Sequence, residues 1–274
     1  NTTTEYHQKP VETAERKTSV EGALDELNSV HTRPDFTQYC MRRGIDPTNN
    51  ATEEYANAYA AFVQDFADER AEEGLMSHDY AALLKIGAHF ASATHAENEV
   101  KKMKKVRGWS REDKSYFHKA LMPQVINYNR QVVDYLYQNP AADIRDVSRL
   151  MFEASRNMLS QSNADEVHDR VNALAKGCRT EAMTAKLFDR IGVPYDFGTV
   201  AEDARGGDVV ITLGGERILV DLKSSLDGMT GVDKEKALDA VEAGKIYVVT
   251  GSRRFKLFMK FDKGYTSELA DDAQ

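Results

Sequence analysis

The sequence predicts an α/β (mixed α+β) chain, in which an all-α N-terminal region, residues 1–163, leads into an α/β core over residues 164–274. Three observations predict it. Through the first part of the chain, apolar residues recur at helical spacing, with caps and stops between the runs. Beyond residue 195, short runs rich in β-branched and aromatic residues replace them. A long helical stretch stands before those runs and a short one among them. The order is therefore helix, three strands, helix, two strands.

The elements follow in turn. Residues 52–73 open after an Asn/Thr cluster and stop at Gly74, a helix with a natural terminator. A second helix begins after Ser77, runs through Lys101–Arg107 and ends at Gly108. Ser110 with Asp113 three residues on has the form of a capping box, opening a helical stretch over 111–138 that Pro123 should kink or split. Asn139-Pro140 marks a turn, and 143–160 is helical again. Asn163 with Glu166 forms a second capping box for a helix over 164–191, which Gly192-Val193-Pro194 ends. Strand-like runs then occupy 195–200, 208–213, 217–223, 245–250 and 255–261, with a short helix at 232–243.

Composition narrows the class of protein. With 274 residues and 41% hydrophobic content the chain can bury one large core or two modest ones. No apolar run approaches the roughly 18 residues of a membrane span. The opening residues are polar, unlike a signal peptide, and the lack of an initiator Met suggests a chain trimmed or excised from a longer one. Two cysteines, Cys40 and Cys178, are too few for a disulfide framework and lack partners at zinc-site spacing, so a cytoplasmic setting is expected. A net charge of −8 argues against a protein that coats polyanions, because such binding needs many basic groups. An acidic active site with local basic patches remains compatible with it.

The chemistry concentrates after residue 164. On the 164–191 helix, Val167, Val171, Leu174, Cys178, Ala185 and Phe188 step by three and four residues along one face. Glu181 falls within that apolar stripe, and a carboxylate there costs several kcal/mol, on the order of known charge-burial penalties, unless a cation or donor meets it. Asp208 opens the 208–213 strand directly after Arg205-Gly206-Gly207, and Leu213-Gly214-Gly215-Glu216 reads as a hairpin turn. On the return strand, alternation puts Leu219, Asp221 and Lys223 on one face. Two acids on paired strands, a third on a helix and an adjacent amine suit phosphodiester hydrolysis. Mg²⁺ prefers oxygen ligands, and clustered carboxylates supply them. A lysine beside them can orient or deprotonate a water and offset their charge.

The pattern Glu181, Gly207-Asp208 and Asp221-Leu222-Lys223 resembles the PD-(D/E)xK nuclease superfamily, over residues 165–262. The resemblance implies a restriction-endonuclease-like core with a central mixed sheet. It implies that Asp208, Asp221 and the Leu222 carbonyl ligate Mg²⁺ or Mn²⁺, that Glu181 assists the metal or its waters, and that Lys223 positions the nucleophile. Gly207 stands where the family has Pro, and Asp221 where Glu is more usual.

Basic clusters provide candidate phosphate contacts: Lys101, Lys104 and Lys105 in the helical region, and Arg253, Arg254, Lys256 and Lys260 near the C-terminus. No phosphate-cradling glycine motif and no nucleophile-elbow motif is present, and all seven histidines read as structural or exposed. The expected function is a Mg²⁺-dependent endonuclease acting on nucleic acid, DNA in preference to RNA. The helical region would serve recognition, homodimer formation or docking to a protein partner. A nuclease toxin domain cleaving DNA or tRNA, and a non-catalytic scaffold with a degenerate nuclease fold, are the alternatives.

Overall fold

A computed structural model describes residues 20–108, 110–156, 164–203, 208–223, 247–251 and 254–258. They fall into two compact units, one within Asn1–Trp109 and Asp146–His168, the other within Ser110–Arg145 and Asp169–Gln274.

The regular elements among the first unit's described residues are all helices. Its elements are α1 (Val20–Val30), α2 (Pro34–Met41), α3 (Glu53–Glu72), α4 (His78–Arg107) and nearly all of α7 (Ile144–Arg156). Thr52 caps α3, its hydroxyl accepting the Tyr55 N–H at 3.2 Å, as the residue type at that position favours. Pro34 sits in the first turn of α2, where its missing N–H costs nothing. Gly87 marks a close helix approach, since a Cβ there would lie 2.6 Å from Leu27 Cδ1 and 3.3 Å from Ala154 Cβ. Three of the described histidines here serve packing and bonding. His31 stacks on Tyr59 at 4.6 Å, His89 meets Gln64 at 2.8 Å and His95 meets the Ala51 carbonyl at 2.9 Å.

The second unit holds α5 (Arg111–Tyr116), a π-helical turn (Phe117–Leu121), α6 (Met122–Gln138), most of α8 (Ala164–Ile191), the single turn α9 (Val200–Asp203) and the strands. The capping box at Ser110 and Asp113 is formed, with both reciprocal bonds present. Pro123 splits the 111–138 stretch at the π turn, where a residue without an N–H interrupts the regular ladder. The strands are β1 (Tyr195–Asp196), β2 (Val209–Leu213), β3 (Glu216–Lys223), β4 (Tyr247–Gly251) and β5 (Arg254–Phe258), in sheet order β1-β2-β3-β5-β4. The antiparallel part, β1–β2–β3, has three strands. β5 runs parallel to β3, and β4 runs antiparallel to β5.

The expectation of a restriction-endonuclease-like α/β core around a central mixed sheet is overturned. The chain is mostly helical and its sheet is small. The physical reason is where the core sits. Every one of the largest fully buried side chains, from Tyr55, Tyr59 and Tyr80 to Leu136, Leu150 and Met151, belongs to a helical segment. The sheet adds a minor cluster, in which Val209, Val220 and Leu222 pack with Phe188 of α8. The 195–200 run also shortens to a two-residue strand, because Gly198 turns at φ +68 and α9 follows. The helix expected at 232–243, the Asn163 cap and the Gly206-Gly207 approach lie outside the described residues.

Replacing Gly87 by Val should lower stability by about 1–3 kcal/mol through overpacking against Leu27 and Ala154. Urea unfolding checks this, and an unchanged midpoint would show that the helices do not approach so closely.

Candidate active site

The local sequence of the β2–β3 hairpin determines its register. Gly214 and Gly215 turn at φ +58 and +83, the pair of positive values a two-residue hairpin turn requires. That turn pairs Leu213 with Glu216, and the register continues to Val209 opposite Val220. Asp208 immediately precedes β2 and Asp221 follows Val220 on β3, so the two acids flank the last pair of the ladder. Like charges at neighbouring cross-strand positions destabilise a strand pair. The Leu222 N–H donates to Asp208 Oδ2 at 2.7 Å and so holds that carboxylate at the flank of β3. A strand residue presents its N–H and C=O to the same side, so the Leu222 carbonyl faces the same flank.

α8 supplies Glu181. Val167, Val171, Cys178, Ala185 and Phe188 of its predicted stripe are buried, while Leu174 and Glu181 are half-buried. The Cys178 thiol, one turn before Glu181, donates to the Asn129 carbonyl at 3.8 Å. Burial pushes this thiol well above its ordinary range, and the charges of Glu181, Asp208 and Asp203 push it further. Glu181 and Asp208 therefore act on the same buried group, although 27 positions of chain separate them.

Asp203 is the residue that sequence reading missed. It ends α9 at 3.9 Å from the Arg130 guanidinium, and burial raises its carboxyl above the usual range against the pull of that cation. The same Arg130 donates to the Phe197 and Gly198 carbonyls at 3.1 and 3.0 Å. On β3, Arg217 grips Asp196 and Glu202, all four bonds between 2.9 and 3.0 Å, and holds Glu202 down at about 2. Glu202 also accepts the Thr199 N–H at 2.8 Å. Gly198 packs so tightly on β2 that a Cβ would stand 2.8 Å from Val210 Cγ2. Two arginines thus fasten the 196–203 segment. Nothing in the run Val200-Ala201-Glu202-Asp203 marks Asp203 in sequence, because its role depends on Arg130 from another helix.

The remaining predicted residues are distributed as follows. Lys223 is the last residue of β3. The parallel register sets Arg254 opposite Leu219 and Lys256 opposite Asp221 on the backbone of β5. Lys101, Lys104 and Lys105 lie in α4, in the other unit. Arg253 and Lys260 lie outside the described residues. Among the described residues, no three His, Cys, Asp or Glu side chains form a group that could hold a metal ion. The arrangement is two acids flanking the last pair of the hairpin ladder, with the charges of Glu181, Asp208 and Asp203 felt at the Cys178 thiol.

No family model, curated protein or solved structure matches the chain. Among the described residues no helix is long and apolar enough to cross a membrane.

In a Cys40→Ala background, the Cys178 thiol should ionise above its ordinary value of 9.0, and Glu181→Gln should lower its titration by removing one repelling charge. Thiolate absorbance followed against pH measures both. An unshifted titration in Glu181→Gln would show that the Glu181 charge does not reach the Cys178 thiol.

Proposed function

We propose that the chain is a Mg²⁺-dependent nuclease that hydrolyses phosphodiester bonds, with DNA favoured over RNA, and that Asp208 and Asp221 are its central acids. The observation that carries this reading is the 2.7 Å bond from the Leu222 amide to Asp208, which ties that carboxylate to β3 beside Asp221 in sequence.

The donor set suits a hard divalent cation. Mg²⁺ is commonly held by one or two carboxylates, retaining waters and taking up substrate phosphate oxygens, so a third protein acid is not required. Asp208, Asp221 and the Leu222 carbonyl are the proposed ligands, all oxygen donors on one flank of the hairpin. When bound, the ion polarises a phosphate oxygen, activates a water and stabilises the charge of the in-line transition state.

The residues of the chain divide the remaining work. The Leu222 N–H keeps Asp208 in one orientation, so the pair need not reorganise as substrate arrives. Glu181 is a third acid of the proposed set and is proposed to orient waters there. Lys223 follows Asp221 by two positions on β3, at the same parity of the strand, and is proposed to position the nucleophile. Arg254 and Lys256 are proposed phosphate contacts, brought alongside by β5. Arg130 and Arg217 position the preceding segment and touch no substrate in this scheme.

Incubation with plasmid DNA and with total tRNA, each with Mg²⁺ or EDTA, tests the proposal. Metal-dependent cutting should fall at least about a hundredfold in Asp208→Asn and in Asp221→Asn, the loss expected for a few kcal/mol of transition-state stabilisation. It should also fall in Lys223→Ala. Cutting that is equal in wild type and variants would come from a contaminant and would remove the proposal.

A further inference from the structure

Within the first unit, α1 and α4 both pack on α3, and a histidine stands at each join. Just past the end of α1, His31 lies flat on Tyr59, with ring centres 4.6 Å apart, and its Nδ1 is 2.6 Å from the Tyr55 hydroxyl. Both tyrosines are buried, and Tyr59 donates to the Leu27 carbonyl at 3.0 Å. From α4, His89 Nε2 is 2.8 Å from Gln64 Oε1. Gln64 comes nine positions after Tyr55, about two and a half turns at 3.6 residues per turn, and so faces the other side of α3. The two imidazoles grip α3 from opposite sides.

The bonding partners determine where each ring carries its proton. Gln64 Nε2 donates to Asp68 Oδ2, which turns Oε1 to His89, so His89 Nε2 is the donor and its Nδ1 takes the next proton. The Tyr55 hydroxyl donates to His31 Nδ1 only while that nitrogen is bare. A proton there would force Tyr55 to accept and leave its own hydrogen without an acceptor in a buried position. The Tyr59 face attracts an imidazolium, but burial outweighs it and holds the His31 imidazole below its ordinary 6.5. Burial and the Lys85 cation do the same to His89, against the pull of Asp68.

The charges around both rings are already committed. Near His31 they are Glu26, bonded by Tyr80 of α4 at 2.9 Å, and the Arg33–Asp35 pair at the start of α2, with the Cys40 thiol raised by burial. Near His89 they are Lys85 and Asp68, joined to each other at 2.8 Å. Among the described residues no carboxylate bonds either imidazole directly, so an added proton meets no counter-charge in contact. A lowered value means that the folded chain binds the proton more weakly than the unfolded chain. The stability the two rings contribute is therefore full above pH 6.5 and is lost as pH falls below it.

We propose that His31 and His89 make the packing of α3 acid-sensitive, a grip that holds with both rings neutral and loosens when they take up protons. The proposal uses the first unit alone and stands or falls independently of the nuclease reading.

Hydrogen exchange on the full chain, corrected for the intrinsic effect of pH, tests it. In wild type the α3 amides should lose protection several-fold between about pH 7.5 and about pH 5. Burial raises the Asp68 carboxyl, but Lys85 and Gln64 hold it below its ordinary range, and Arg33 does so for Asp35. Neither acid takes up a proton in that window. The double variant His31→Phe with His89→Gln keeps a stacked ring and an amide donor, and its α3 should stay protected throughout. Should circular dichroism show that variant unfolded, the wild type still decides, because the assigned His31 and His89 imidazole resonances should both titrate below 6.5. Protection of α3 that ignores pH, that falls equally in the double variant, or imidazoles that titrate at or above 6.5 would overturn the proposal.

Discussion

The register of one hairpin is the constraint on which the proposed chemistry rests. Two glycines at positive φ close the turn, and every pair behind them is then determined by counting. A slip of one residue would turn Val209, Val220 and Leu222 away from Phe188 and remove the cluster that holds the sheet to α8. The hydrophobic pattern and the turn geometry therefore enforce the same pairing. That pairing leaves Asp208 and Asp221 flanking its last pair, Val209 with Val220. The packing that stabilises the hairpin is also what compels two like charges to be neighbours, a cost that a divalent cation between them would relieve.

The segment before the hairpin is held by charge rather than by apolar area. Arg217 and Arg130 gather Asp196, Glu202, Asp203 and two carbonyls, and Gly198 lets the chain lie directly against Val210. The surroundings of Cys178 thus combine a buried thiol with three acids whose charges act on it, one of them, Asp203, beside Arg130. The arginine contacts hold the 196–203 segment without a large core beneath it.

Much of this was legible in the sequence, and the misses have physical causes. The boundaries of α3 and α4 and the capping box at Ser110 follow from local signals, because Thr, Ser, Asp and Gly act through the adjacent backbone. The β2–β3 hairpin was equally legible, since both its turn and its alternation are local. The fold class was not. Five short β-rich runs suggested a sheet-centred core, yet burial depends on what packs where, and the large buried side chains went to the helices. α1 and α2 were not placed individually. Glu181 was visible as a break in an apolar stripe, whereas Asp203 and Arg130 meet only through tertiary packing, across 73 positions of chain.

Binding of Mn²⁺, as a stand-in for Mg²⁺, tests the central claim most directly, because it asks whether the two acids share a cation without requiring a substrate. Electron paramagnetic resonance of the free ion measures it. One Mn²⁺ bound per chain, competed by Mg²⁺ and lost in Asp221→Asn, is the expected result. An absence of binding, or binding that Asp208→Asn and Asp221→Asn leave unchanged, would contradict a metal centre on this hairpin.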